Sequence, residues 1–171
     1  AFGSISLPGT FWEALRAAGG EVRLFNPLAL DRWGIRNHRK LLVCDERVAF
    51  VGGFNITSDY DGDGVTSGWC DLGLKVGGQL PAQLAASFEQ MFARADFQHK
   101  RFIRLRKSTA QKLVLTPHEQ LLLSGPGRGR NPIKRALHRD LTRATKVQIM
   151  AAYFLPTWRI RRHLTRIARR G

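Results

Sequence analysis

Two short apolar, β-prone runs, Leu41-Leu42-Val43 and Val48-Ala49-Phe50-Val51, stand on either side of the polar trio Asp45-Glu46-Arg47. This feature constrains the fold more than any other. Branched and aromatic side chains favour the pleated, half-buried surface of a sheet, so Arg36 to Val51 is expected to form two strands joined through that trio.

The flanking segments supply helices. Thr10 is expected to cap a helix carrying Phe11, Leu15 and Ala18 and ending at Gly19-Gly20, before a short strand over residues 21–25 that Asn26-Pro27 stops. Residues 56–68 are polar and glycine-rich, hence a loop. Residues 71–76 alternate, with Leu72, Leu74 and Val76 to one side, as in a half-buried strand. From Pro81 a helix places Leu84, Phe88, Met91 and Phe92 on one face. The basic stretch of residues 101–107 leads to a second apolar strand at 120–124 and a loop from Gly125 to Gly129. Asn131-Pro132 joins a capping residue to a proline in the first turn, and Ile133, Leu137 and Leu141 follow at spacings of four. Residues 147–154 are expected to form a strand closed by Pro156. The last segment sets Ile160, Leu164 and Ile167 against a surround of arginines. Strands alternating with helices predict an α/β sandwich.

Charge restricts the partners. Against 13 acidic residues stand 28 lysines and arginines, a formal +15, which calls for a polyanion: nucleic acid, an anionic membrane surface or a phosphate-rich substrate. The two cysteines, Cys44 and Cys70, are expected to be reduced and mostly buried, in a cytosolic setting. Their number excludes a metal site of the paired-cysteine type. No apolar run reaches the roughly 18 residues of a membrane span, and the N-terminus lacks the pattern of a signal peptide.

On a strand, side chains two apart share a face, so His38 and Lys40 lie together, with Arg36 on the same side. The ammonium can neutralise phosphate oxygens while the imidazole attacks phosphorus or moves a proton. Asn55, ending the next strand, can add a hydrogen bond. Gly52 and Gly53 remove side chains where a substrate must approach. Asp45, an odd number of residues from His38, points away and is expected to be a carboxylate at the turn that pairs with a basic group. Asp71 is the better candidate for accepting the far ring N–H of His38 and fixing its tautomer.

The full string, His38-x-Lys40, four residues, Asp45, six residues, Gly52-Gly53-x-Asn55, resembles the signature of the phospholipase D superfamily, named for its histidine, lysine and aspartate. Within it the chain looks most like the bacterial cardiolipin synthases. AFGS before a helix, RNHRK, GGFN and Trp69-Cys70-Asp71 resemble their first repeat. LLLSGP, the helix at 132–144 and the strand ending AAYFLP resemble the opening of the second. The resemblance implies a mixed β-sheet flanked by helices in two pseudo-twofold repeats, with residues 1–105 from the first and 106–171 from a linker and the second. It implies phosphatidyl transfer through a phosphohistidine without metal or other cofactor, on an anionic phospholipid such as phosphatidylglycerol, at the inner membrane of a bacterium. His38, Lys40 and Asp45 would then be catalytic, and Lys40, Asn55, Gly52 and Gly53 would bind the phosphate.

Two departures stand out. The family more often has arginine where this chain has Cys70, which weakens the role given to Asp71. None of His99, His118, His138 and His163 opens a second His-x-Lys pattern, so the second motif is expected beyond Gly171. The chain is then an internal fragment that needs the remaining half, or a second copy as in the single-repeat nucleases of the superfamily. The alternatives are a nuclease of the same chemistry, or a non-catalytic basic module for membranes or nucleic acid.

Three other signals carry less. Asp59-x-Asp61-x-Asp63-Gly64 imitates a calcium loop but has Cys70 where the bidentate glutamate belongs, and reads as a solvated acidic loop. The arginine-rich segment 159–170 is expected to be a surface helix packed on its own sheet rather than one lying on lipid. The four tryptophans form no stacking platform for bases.

Overall fold

The computed structural model of the chain describes residues 7–25, 37–93, 95, 111–114, 120–124 and 131–170. Arg36, Asn26-Pro27, the AFGS start, the 101–107 stretch, His99, His118 and the Gly125–Gly129 loop lie outside them. The architecture is mixed α/β in two compact units, residues 1–101 and 102–171.

In the first unit, a 3-10 turn at Gly9–Trp12 runs into helix α1, Glu13–Ala17. Thr10 does not cap it. The Phe11 amide already donates to the Pro8 carbonyl at 3.0 Å, so the helical path starts earlier and places Thr10 inside the first turn. Residues 21–24 are not a strand. Arg23 instead holds this segment, donating to Glu21 at 3.1 Å and to the Phe92 carbonyl at 3.3 Å, with its guanidinium 4.5 Å over the Phe92 ring.

The expected pair of strands is present as β1, Lys40–Cys44, and β2, Val48–Gly52, and β3, Gly73–Val76, adds to the far side of β2. Both pairings are antiparallel. The β1–β2 turn places Asp45 and Glu46 at φ 51° and 54°, and the Arg47 amide closes it on the Cys44 carbonyl at 3.0 Å. Two left-handed residues match the right-handed twist of the flanking strands, which is why such turns join tight hairpins.

Partners across an antiparallel ladder share a face. Val43 lies opposite Ala49, and Leu41 opposite Val51. Helix α2, Leu80–Phe92, covers that apolar face: Ala49 and Pro81 are fully buried, and Leu84 and Ser87 of the helix are buried. Leu41 meets Phe88, Met91 and Phe92 around a cavity of about 170 Å³. The opposite face carries Lys40 and Leu42, and there Leu42 is half exposed. Cys44 and Cys70 are both exposed, contrary to expectation, because Cys44 follows Lys40 and Leu42 onto the uncovered face and Cys70 lies in the loop before β3.

In the second unit β4, Gln111–Val114, pairs antiparallel with β5, Gln120–Leu123. Helix α3, Pro132–Arg143, begins where expected: Asn131 Oδ1 accepts from the Ile133 and Lys134 amides at 2.9 and 3.2 Å. Helix α4, Trp158–Ala168, packs on α3. Among the described residues the buried ones are Leu123 of β5, Leu141 of α3 and Ile167 of α4. Residues 147–154 are not the expected strand. A strand needs a neighbour for its amides and carbonyls, and among the described residues none joins them. Met150, Tyr153 and Leu155 are consequently almost fully exposed. The described strands all pair antiparallel, so the expected mixed sheet is not seen among them. Among the described residues, no helix is long and apolar enough to cross a membrane.

Candidate functional site

The residues entering β1 set the site. Asn37 Oδ1 accepts from the Arg39 amide at 3.1 Å, which fixes the chain just before the strand. Arg39 then turns toward α2, donating to Ser87 Oγ at 3.3 Å, and burial lowers its pKa from the ordinary guanidinium value. With Arg39 on the covered side, His38 and Lys40 project from the other.

These two side chains touch. Lys40 Nζ lies 3.0 Å from His38 Nδ1 and 3.1 Å from Nε2, and 3.3 Å from the His38 carbonyl. An ammonium nearly equidistant from both ring nitrogens cannot align with either in-plane lone pair. It therefore sits over the ring face rather than at either nitrogen's lone pair. His38 is exposed and Lys40 half-buried, so the pair is open to solvent.

Four other sequence-predicted residues lie at this end of the sheet. Lys40 pairs with Gly52, and Gly52 with Gly73. Asn55 is three residues past Gly52, and Asp71 two before Gly73. The glycines are filled differently from expectation. A Cβ at Gly52 would come within 2.6 Å of the Phe54 ring and 2.9 Å of the Leu72 carbonyl; one at Gly53 would lie 3.0 and 3.1 Å from the Asp71 carboxylate oxygens. Here the missing side chains admit Phe54 and Asp71. Phe54 was not singled out in the sequence, and its ring also lies against Gly73.

Asp71 Oδ1 accepts from the Leu72 amide at 2.6 Å. Among the described residues its hydrogen bonding runs there and that of His38 runs to Lys40, so the two are not bonded to each other. Asp45 is elsewhere. It sits in the turn just past the far end of β1, whose last residue, Cys44, is about 13 Å along the strand from Lys40 at ordinary strand rise. Among the described residues it has no ion pair, so the basic partner expected for it is not seen.

The acidic loop has its own logic. Asp63 Oδ1 accepts from the Val65, Thr66 and Ser67 amides at 2.9, 2.8 and 3.2 Å, and Oδ2 from the Thr66 hydroxyl at 2.7 Å. These donors hold its pKa far below the usual carboxylate range. Asp63 folds its own loop, and the Trp69 amide closes that loop on the Asp59 carbonyl at 2.8 Å. Among the described residues no three His, Cys, Asp or Glu side chains gather as metal ligands would.

No family model and no solved structure matches the chain. Curated relatives do. It is 31% identical over 156 residues to the cardiolipin synthase of Clostridium perfringens, covering 84% of this chain and 32% of that protein. It is 32% identical over 167 residues to that of Geobacillus kaustophilus, covering 91% and 32%. For the cardiolipin synthase of Listeria monocytogenes the values are 30% over 162 residues, 91% and 34%. The chain spans about a third of the length of the curated relatives it matches.

Proposed function

We propose that this chain, similar over most of its length to part of the cardiolipin synthases, supplies one half of a phosphatidyl-transferring active site of the phospholipase D type. The observation that carries this reading is the contact of the exposed His38 imidazole with Lys40 Nζ at 3.0 Å, on the face of the sheet opposite α2. In this scheme a ring nitrogen of His38 attacks the phosphorus of a phosphatidylglycerol-like lipid. The phosphorus–oxygen bond to the headgroup alcohol breaks, and a histidine from the remaining half of a longer enzyme, or from a second copy, protonates that alcohol. Lys40 leaves the ring face for the phosphate oxygens, and Asn55 adds a neutral donor. A second lipid alcohol, losing its proton to that other histidine, then attacks the phosphohistidine; the phosphorus–nitrogen bond breaks, giving cardiolipin and freeing His38. Asp71 is assigned to orient His38 once substrate has drawn Lys40 aside, and the Gly52-Gly53 pair to let a phosphate approach. Asp45 is assigned to the hairpin turn. Residues 1–105 and 106–171 would belong to successive repeats working at the bacterial inner membrane, and no cofactor enters the scheme.

An activated diester tests the half-site alone, because p-nitrophenolate leaves without a proton from the absent acid. Incubated with a phosphorus-labelled p-nitrophenyl phosphodiester and quenched in alkali, the chain should retain label on His38, and His38→Asn should retain none. Absence of label on the folded chain, or label persisting in His38→Asn, overturns the histidine's role. Labelled phosphatidylglycerol and DNA, each offered to the longer enzyme, separate the substrates; cleavage of DNA alone overturns the lipid assignment.

A further inference from the structure

A second basic constellation lies wholly within the second unit and does not depend on the His38 reading. Arg135, His138 and Arg139 follow one another at spacings of three and one on α3, while Arg159 and His163 are four apart on α4. All five line one cleft of about 680 Å³, and the His138 and His163 rings meet across it with centroids 5.5 Å apart. Among the described residues no carboxylate lines it. Asp140 stands just outside and holds Arg139 through contacts of 2.8 and 3.3 Å. Among the described residues, neither Arg135 nor Arg159 has such a partner.

Two guanidinium groups without a carboxylate partner among the described residues, beside a third held by Asp140, favour an anion entering the cavity. Guanidinium forks match the oxygens of a phosphate better than those of a monovalent ion. The volume lies in the range of small-molecule sites and exceeds what an inorganic ion fills. Leu122, Pro132 and Ala136 add an apolar wall for the organic part of a ligand. The geometry points to a binding site for a phosphate ester, clamped by Arg135 and Arg159 and contacted by the rings of His138 and His163.

The test uses the whole chain and the NMR signals of the His138 and His163 rings, titrated with inorganic phosphate and with glycerol 3-phosphate. Both signals should shift saturably, more tightly for the ester, and sodium chloride at equal ionic strength should not reproduce the shift. Arg135→Gln with Arg159→Gln should weaken binding by about tenfold or more, the scale of one lost charge-assisted hydrogen bond. Both positions are exposed, so circular dichroism should find the fold intact; Arg135→Lys with Arg159→Lys, which keeps charge and removes the forks, should bind more weakly than the parent. Displacement of glycerol 3-phosphate by phosphatidylglycerol vesicles but not phosphatidylcholine vesicles identifies a lipid headgroup as the source. Failure of both vesicles to displace it identifies a soluble ester. A shift that is absent, that chloride reproduces, or that survives the double glutamine variant unchanged overturns the proposal.

Discussion

The two ends of one hairpin differ more than its ladder suggests. At the end where β1 begins, His38 and Lys40 touch, Gly52 and Gly53 admit Phe54 and Asp71, and Asn55 follows. At the other, Asp45 and Glu46 take up left-handed backbone and Asp45 has no ion pair among the described residues. The difference teaches that linear motif membership and spatial membership are separate matters. His38, Lys40 and Asp45 are close in sequence, yet the third lies in the turn beyond the far end of a strand about 13 Å long that begins at the second.

The largest expected effect tests the reactive end. His38→Ala should lower phosphodiester transfer by about three orders of magnitude or more, measured as label transferred per unit time, whereas Asp45→Asn should leave it within about threefold. Equal losses would erase the contrast between the ends.

Packing comes next. Gly52→Val forces a branched side chain against the Phe54 ring and the Leu72 carbonyl, and should destabilise the chain by about 1–3 kcal/mol in denaturant unfolding. The opposite sign is expected at the turn: Glu46→Gly relieves a left-handed non-glycine residue and should raise stability by up to about 1 kcal/mol without altering transfer.

The smallest effect is pH-dependent. Since folding depresses the Asp63 pKa, its contribution is full above the unfolded carboxylate value near 3.9 and is lost as pH falls through the lower folded value. Protection of the Val65 and Thr66 amides, measured relative to intrinsic exchange at each pH, should therefore fall with increasing acidity, and Asp63→Ala should show that loss already at neutral pH.

Local rules explain what was legible in the sequence. The hairpin follows from two β-prone runs around a polar trio, and α3 from Asn131-Pro132, because each signal completes itself within a few residues. Residues 21–25 and 147–154 have equally strand-like side chains. Their pairing, however, depends on a neighbour that no local pattern specifies, and Arg23 finds better partners in Glu21 and Phe92. At the site, the His38–Lys40 contact follows from a period of two. The roles of the glycines did not follow, since the Phe54 ring that fills the space at Gly52 and the Asp71 carboxylate that fills it at Gly53 are placed by loops. The missing bond between His38 and Asp71 has the same origin: the sheet brings both to one end, but a backbone amide competes for the carboxylate.

Arg39 has a further consequence. Lodged between the two outward-facing partners and tied beneath the sheet to Ser87, it works like a keel. Rolling the strand to re-aim the imidazole would drag a cation through the helix contact, so aim is inherited from the hull rather than from the residues above it. Chemistry at positions 38 and 40 can thus be exchanged by mutation while the direction in which those positions point stays put.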